Sequence, residues 1–123
     1  MLATDAFPAT FARLRAVLAP LAPSLLVTTD GPDRFSLDAP SSSLYPDGLF
    51  CGEARVGKRY VSYHLMPVYV FPDLLDAISP ALARRMQGKS CFNFLGIDDS
   101  AVAELEALTA AGLARYRAEG LVG

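Results

Sequence analysis

The sequence is short of the residues that carry most metal and nucleophile chemistry. It holds one histidine, His64, two cysteines, Cys51 and Cys91, and no tryptophan. Two cysteines in a chain of this length do not form a disulfide framework, and no C-x-x-C spacing exists to hold a metal. No stretch approaches the roughly 20 apolar residues that span a bilayer. The N-terminus has no basic segment followed by an apolar run, so no secretory signal is expected. Internal repeats and low-complexity tracts are absent too. These absences lead to the expectation of a cytoplasmic protein with no membrane partner and both thiols reduced. A formal net charge of −2 lacks the basic surplus that phosphate contacts demand, so no nucleic-acid partner is expected. Neither a Ser-His-Asp order nor a paired-carboxylate motif nor a glycine-rich dinucleotide fingerprint stands out, and no cofactor is expected. Gln87-Gly88-Lys89-Ser90 matches the end of a phosphate-binding loop, but the earlier glycine would fall where Ala83 stands.

What is present points to one compact domain. The 123 residues are 52% hydrophobic, too apolar for a disordered chain and enough for a single core. Charge is unevenly distributed. Residues 51–90 carry six cations (Arg55, Lys58, Arg59, Arg84, Arg85, Lys89) against Glu53, Asp73 and Asp76. The segment after them is acidic, with Arg115 and Arg117 against five carboxylates. Arg84, Arg85 and Lys89 therefore form a weak candidate for anion binding, although cations near a helix C-terminus are expected without any ligand.

Apolar residues at helical spacing (Phe7, Phe11, Leu14, Val17 or Leu18, Leu21) predict an amphipathic helix over 6–19, capped by Thr4 or Asp5 and ended by Pro20 and Pro23. Leu25–Thr29 and Arg34–Asp38 flank the turn Asp30-Gly31-Pro32-Asp33 and read as a hairpin. A loop over 39–48 follows. Leu49–Val56 and Arg59–Met66 flank Gly57-Lys58, which suits a two-residue type II′ turn. That register opposes Cys51 to His64 and Glu53 to Ser62. Alternation then puts Phe50, Ala54, Val56, Val61, Tyr63 and Leu65 on the core face. Cys51, Glu53, Arg55, Tyr60, Ser62 and His64 fall on the other. Pro67 stops the strand. Phe71–Ile78 reads as a short helix, and Ser79-Pro80 opens another with Leu82 and Met86 inward and Gly88 as its C-cap. Cys91–Leu95 is a strand with Phe92 and Phe94 inward. Asp98 or Asp99 caps a final helix with Val102, Leu105, Leu108, Thr109, Gly112 and Tyr116 on its apolar face. Gly112, costing about 1 kcal/mol in mid-helix, suggests a close approach to the sheet. The sum is an α+β domain, a mainly antiparallel sheet in two layers with helices on one face, spanning residues 1–123.

Several segments carry a family likeness: Tyr60-Val61-Ser62-Tyr63-His64-Leu65-Met66-Pro67-Val68-Tyr69, Ile78–Leu82, Arg85–Phe94, and Leu108–Leu113 with Tyr116. On these residues the chain, over about 45–118, resembles the YdhG-like family of small bacterial domains of unknown function. The resemblance implies a two-layer α+β fold and a cytoplasmic bacterial protein, and transfers no catalytic residue. A looser analogy with frataxin-type iron handling needs an acidic first helix, where this chain has Arg13 and Arg15.

The sharpest chemical feature is therefore His64 opposite Cys51, with Glu53, Arg55, Tyr60 and Ser62 on the same face and Cys91 and Asn93 joining if their strand lies alongside. An imidazole beside a thiol makes a nucleophile, or half a metal site. A polar face covered by a loop or by a second subunit accounts for the same residues more simply. The favoured reading is a non-catalytic domain that binds a small molecule or a protein, with the outer face free for a homodimer. The alternative is an enzyme or metal-binding protein using Cys51 and His64. Tyr60, Tyr63, Tyr69 and Phe71 are candidates for lining a pocket, with Tyr63 and Phe71 assigned to the core.

Overall fold

The fold is described from a computed structural model covering residues 6–122; the proposed caps Thr4 and Asp5 lie outside the described residues. Helix α1 (Phe7–Leu18) buries Phe7, Thr10, Phe11, Leu14, Val17 and Leu18, the face its periodicity marks. Pro20 and Pro23 do not terminate the chain's turning. They sit in a 3-10 segment, Ala19–Ser24, that carries it to the sheet.

Six strands form one sheet in the order β1-β2-β3-β4-β6-β5, and every pairing is antiparallel. The strands are β1 (Leu26–Asp30), β2 (Arg34–Ala39), β3 (Leu49–Val56), β4 (Val61–Leu65), β5 (Met86–Gln87) and β6 (Cys91–Phe94). Both edges are blunt: β1 is bulged between Val27 and Thr29, and β5 is two residues long. In the loop before β3, Gly48 adopts φ +86°, and a Cβ there would meet the Ala39 carbonyl oxygen at 2.7 Å. Only glycine fits that turn.

Three details differ from the sequence reading. First, the β3–β4 turn spans Gly57–Tyr60, closed by Gly57 N–H donating to the Tyr60 carbonyl at 2.9 Å. The register is therefore two residues off a two-residue turn: Glu53 faces His64, Ala54 faces Tyr63 and Arg55 faces Ser62. A shift of two preserves the faces, so Ala54, Val61, Tyr63 and Leu65 are still buried.

Second, the β2–β3 ladder shifts between Leu37↔Gly52 and Asp38↔Phe50. Cys51 is the extra residue of a β-bulge, and alternation fails there. Cys51 enters the core fully buried. Phe50 turns to the outer face, its ring edge-on to His64 at 5.0 Å.

Third, the chain after Pro67 is more broken than expected. Met66–Val70 is a helical turn, α2, with Pro67 in its first turn where no amide is missed. Pro72–Ala77 is 3-10, and α3 covers only Pro80–Ala83, with Ser79 Oγ accepting from Leu82 N–H. Met86 thus belongs to β5. Gly88, at φ +78°, belongs to the turn between β5 and β6 and caps no helix.

Helix α4 (Asp99–Ala118) begins at Asp98, whose carboxylate accepts from Ala101 N–H at 2.8 Å. It packs with α1 on one face of the sheet, as an α+β two-layer fold requires. Gly112 does mark a close approach, but to α2: an added Cβ would lie 2.9 Å from Pro67 Cβ. The Tyr63 and Thr109 hydroxyls meet at 2.6 Å inside the core, and Tyr116 O–H donates to the Phe50 carbonyl at 3.1 Å. Sheet and helix are thus bonded at two buried phenols.

Candidate functional site

With α1 and α4 on one side, the opposite face of the sheet has no helix over it among the described residues. Its centre is the outer row of β3, β4 and β6. Pairing places Glu53 beside His64 and His64 beside Cys91, then Arg55 beside Ser62 and Ser62 beside Asn93. The alignment of β6 with β4 brings Cys91 and Asn93 into the group.

The polar groups bond one another. Ser62 O–H donates to Asn93 Oδ1 at 2.9 Å, and Asn93 Nδ2 donates to Gln87 Oε1 at 2.6 Å. The same Gln87 oxygen accepts from Tyr60 O–H at 3.1 Å, which keeps Tyr60 on this surface although it lies in the turn. His64 Nε2 and Ser90 Oγ share a hydrogen bond of 2.6 Å. Glu53 is held by Arg34 from β2. Arg55 is exposed.

Four of the six expected face residues, Glu53, Arg55, Ser62 and His64, lie on the outer row, and Tyr60 joins by its hydroxyl. Cys51 does not, because the bulge turns it into the core. Burial, aided by the negative charge of Asp38, pushes its thiol up to about 12. A thiol that stays protonated inside a core is no nucleophile. The Cys51–His64 pair is therefore overturned as a site.

Cys91 is the thiol that faces His64, yet nothing activates it. Burial raises its pKa, only partly offset by Ser62. Burial also lowers the pKa of His64, with Glu53 opposing, so the imidazole is neutral near pH 7 and supplies no cation to stabilise a thiolate. Glu53, His64 and Cys91 are all metal-ligand types in one row. They sit on three successive strands, so the outer two are roughly 10 Å apart, whereas ligands of one ion crowd within its short bonds. No group able to hold a metal exists among the described residues.

Ser90, His64 and Glu53 also match the residue types of a catalytic triad. The geometry differs. Ser90 is buried, 8% exposed, and the Glu53 carboxylate is taken by Arg34 rather than oriented on the imidazole. A nucleophile needs both an approach path and an oriented base.

Of the candidate cations Arg84, Arg85 and Lys89, all exposed, Arg85 and Lys89 line different cavities. Arg85 lines a cavity of about 300 Å³ with Asp98 and Glu104, while Lys89 lines another of about 390 Å³ with Tyr69. Sequence reasoning missed Phe50, Gln87 and Ser90. Gln87 was hidden by assignment to a helix end, and Phe50 by an alternation that ignores a bulge. Ser90 left one trace, its position just before the Cys91 strand, where its carbonyl extends the ladder by accepting from Leu65 N–H at 2.9 Å.

Comparison with protein-family models, with curated proteins and with solved structures finds no match for this chain. No described helix is long and apolar enough to cross a membrane.

Proposed function

We propose that this is a non-catalytic cytoplasmic binding domain whose outer sheet face docks a protein surface, in the first instance a second copy of the same chain. The observation that carries this reading is the bonded polar network Tyr60–Gln87–Asn93–Ser62, beside His64–Ser90, on the face that no described helix covers. A network already closed on itself holds the surface rigid before contact, which lowers the ordering cost of association.

Shape favours a protein over a small molecule. Small ligands take concave sites, and the cavities of about 300 and 390 Å³ lie away from the Ser62–His64 row. Charge favours self-association. The outer rows of β2 and β3 carry Arg34 and Arg55 with Asp38 and Glu53, so a two-fold partner can set cation against carboxylate in both directions. Both cysteines are free thiols, in keeping with a reducing compartment. Membership of the YdhG-like domains belongs to the same reading: the segments that carry the likeness fall on β4–α2, on α3–β6 and on α4, and two of their strands, β4 and β6, carry the outer row.

Sedimentation equilibrium of wild type, Arg55→Glu and Ser62→Trp over a wide concentration range tests the proposal. A wild-type dimer that both outer-face variants convert to monomer supports it. A wild type that stays monomeric throughout, or a dimer indifferent to both substitutions, overturns self-docking through this face.

A further inference from the structure

A second feature stands apart from the outer face. Between α2, the following 3-10 segment and the β5–β6 turn lies a cavity of about 390 Å³, lined by Val68, Tyr69, Pro72, Leu75, Met86 and Lys89 among others. Its walls come from three elements and are apolar, and its volume lies within the range that small-molecule sites occupy. Val68 is fully buried, while Tyr69, also in the lining, is 53% exposed.

The charge at this cavity is one-sided. Four arginines pair with carboxylates on the surface, in Arg13–Asp99, Arg15–Asp30, Arg34–Glu53 and Arg115–Asp73. Arg55, Lys58, Arg59, Arg84, Arg85 and Arg117 enter no ion pair among the described residues, so what marks Lys89 is its place beside an apolar hollow. Lys89 enters no ion pair among the described residues, and no carboxylate lines the cavity with it. An apolar hollow with one ammonium and one phenol at hand complements a molecule with an apolar body and a single negative charge. A nucleotide or polyphosphate calls for several cations or a cradle of amides, which this lining lacks.

We infer that the cavity between Tyr69, Leu75, Met86 and Lys89 binds a small amphipathic carboxylate, its apolar body against Leu75 and Met86 and its carboxylate on Lys89. Tyr69, at the far end of the Tyr60–Tyr69 stretch, and Gly88-Lys89 thereby meet in one binding site, while the flanking Gln87 and Ser90 belong to the docking face.

The test uses the full chain, 1-anilinonaphthalene-8-sulfonate as fluorescent probe, and octanoate and octanol as competitors. The probe should bind saturably, octanoate should displace it, and octanol should compete far more weakly. Lys89→Glu, a change at an exposed position, should weaken octanoate about tenfold, the factor that loss of one charge-assisted contact gives. Leu75→Trp, which fills the hollow, should abolish displacement, with a thermal melt showing that the variant is folded. Amide shifts on adding octanoate should cluster at residues 68–75 and 86–89. Equal competition by octanol, full affinity in Lys89→Glu, or shifts centred elsewhere would each overturn the assignment.

Discussion

At the scale of single residues, His64 shows how a polar group is accommodated on a half-covered sheet. The imidazole accepts partial burial because Ser90 hydrogen-bonds its Nε2 and the Phe50 ring packs edge-on against it. Burial lowers its pKa below the ordinary 6.5. The unfolded chain then binds the proton more tightly than the native one. Stability from this group is fully present above about pH 6.5 and is lost as pH falls toward the lower native value. Chemical denaturation of wild type and His64→Gln between about pH 7.5 and pH 5 checks this. The wild type should lose more stability on acidification than the variant, and identical pH profiles would contradict it. The two thiols give a second residue-level expectation. Native Cys51 should resist iodoacetamide at pH 8 until the chain unfolds, because its thiolate is suppressed and its sulfur enclosed. Cys91, half-buried, should label earlier. Peptide mapping of partially alkylated protein distinguishes the two, and early labelling of Cys51 would refute the bulged placement.

At the scale of elements, the joints between helix and sheet decide stability. Gly112→Ala improves helix propensity by about 1 kcal/mol. Here the new methyl would press on the Pro67 ring, whose Cβ and Cγ lie 2.9 and 3.1 Å away. Overpacking of this kind costs about 1–3 kcal/mol, so the variant should unfold at lower urea concentration than wild type despite its better helix. Tyr63→Phe strands the buried Thr109 hydroxyl and should cost about 1–3 kcal/mol by the same assay. The elements also show what the sequence could reveal. Long periodic segments were legible: α1 buries the residues that its spacing singles out, α4 buries Leu105, Leu108, Thr109, Gly112 and Tyr116 but leaves Val102 half-buried and adds Leu113, and Phe92 and Phe94 point inward from β6. Local irregularities were not. The Gly57-Lys58 pair satisfies the chemistry of a two-residue turn, yet the chain uses four residues, because that register brings Ala54 against Tyr63 and Val56 against Val61. The bulge at Cys51 leaves one compositional mark, Gly52 beside it, since an isolated glycine inside a strand signals a bulge or a close approach without saying which residue is displaced. Together the turn and the bulge separate the one pair, Cys51 and His64, on which a nucleophile would have depended, while the polar row around His64 survives because a two-residue shift changes partners without changing faces.

At the scale of the whole molecule, one contiguous core joins both layers, from Phe7 and Leu14 through Tyr63 and Phe92 to Leu105 and Tyr116. A single core of this size predicts cooperative unfolding. Near-ultraviolet dichroism from the buried Tyr63 and Tyr116 should lose its signal at the same temperature as the far-ultraviolet helix signal, with no tryptophan to obscure it. A midpoint that rises with protein concentration would further support self-docking, since association stabilises the native state by mass action.

The blunt edges of the sheet bear on how copies of the chain can meet. An unpaired strand edge is a template on which further strands polymerise, and a long flat one leads toward filaments. Here β1 is broken by its bulge and β5 offers two residues, so neither margin gives an incoming strand a regular ladder to extend. Growth by edge addition is closed off on both sides. Contact through the face remains open, and because a two-fold contact between faces consumes the surface that makes it, such an assembly stops at two.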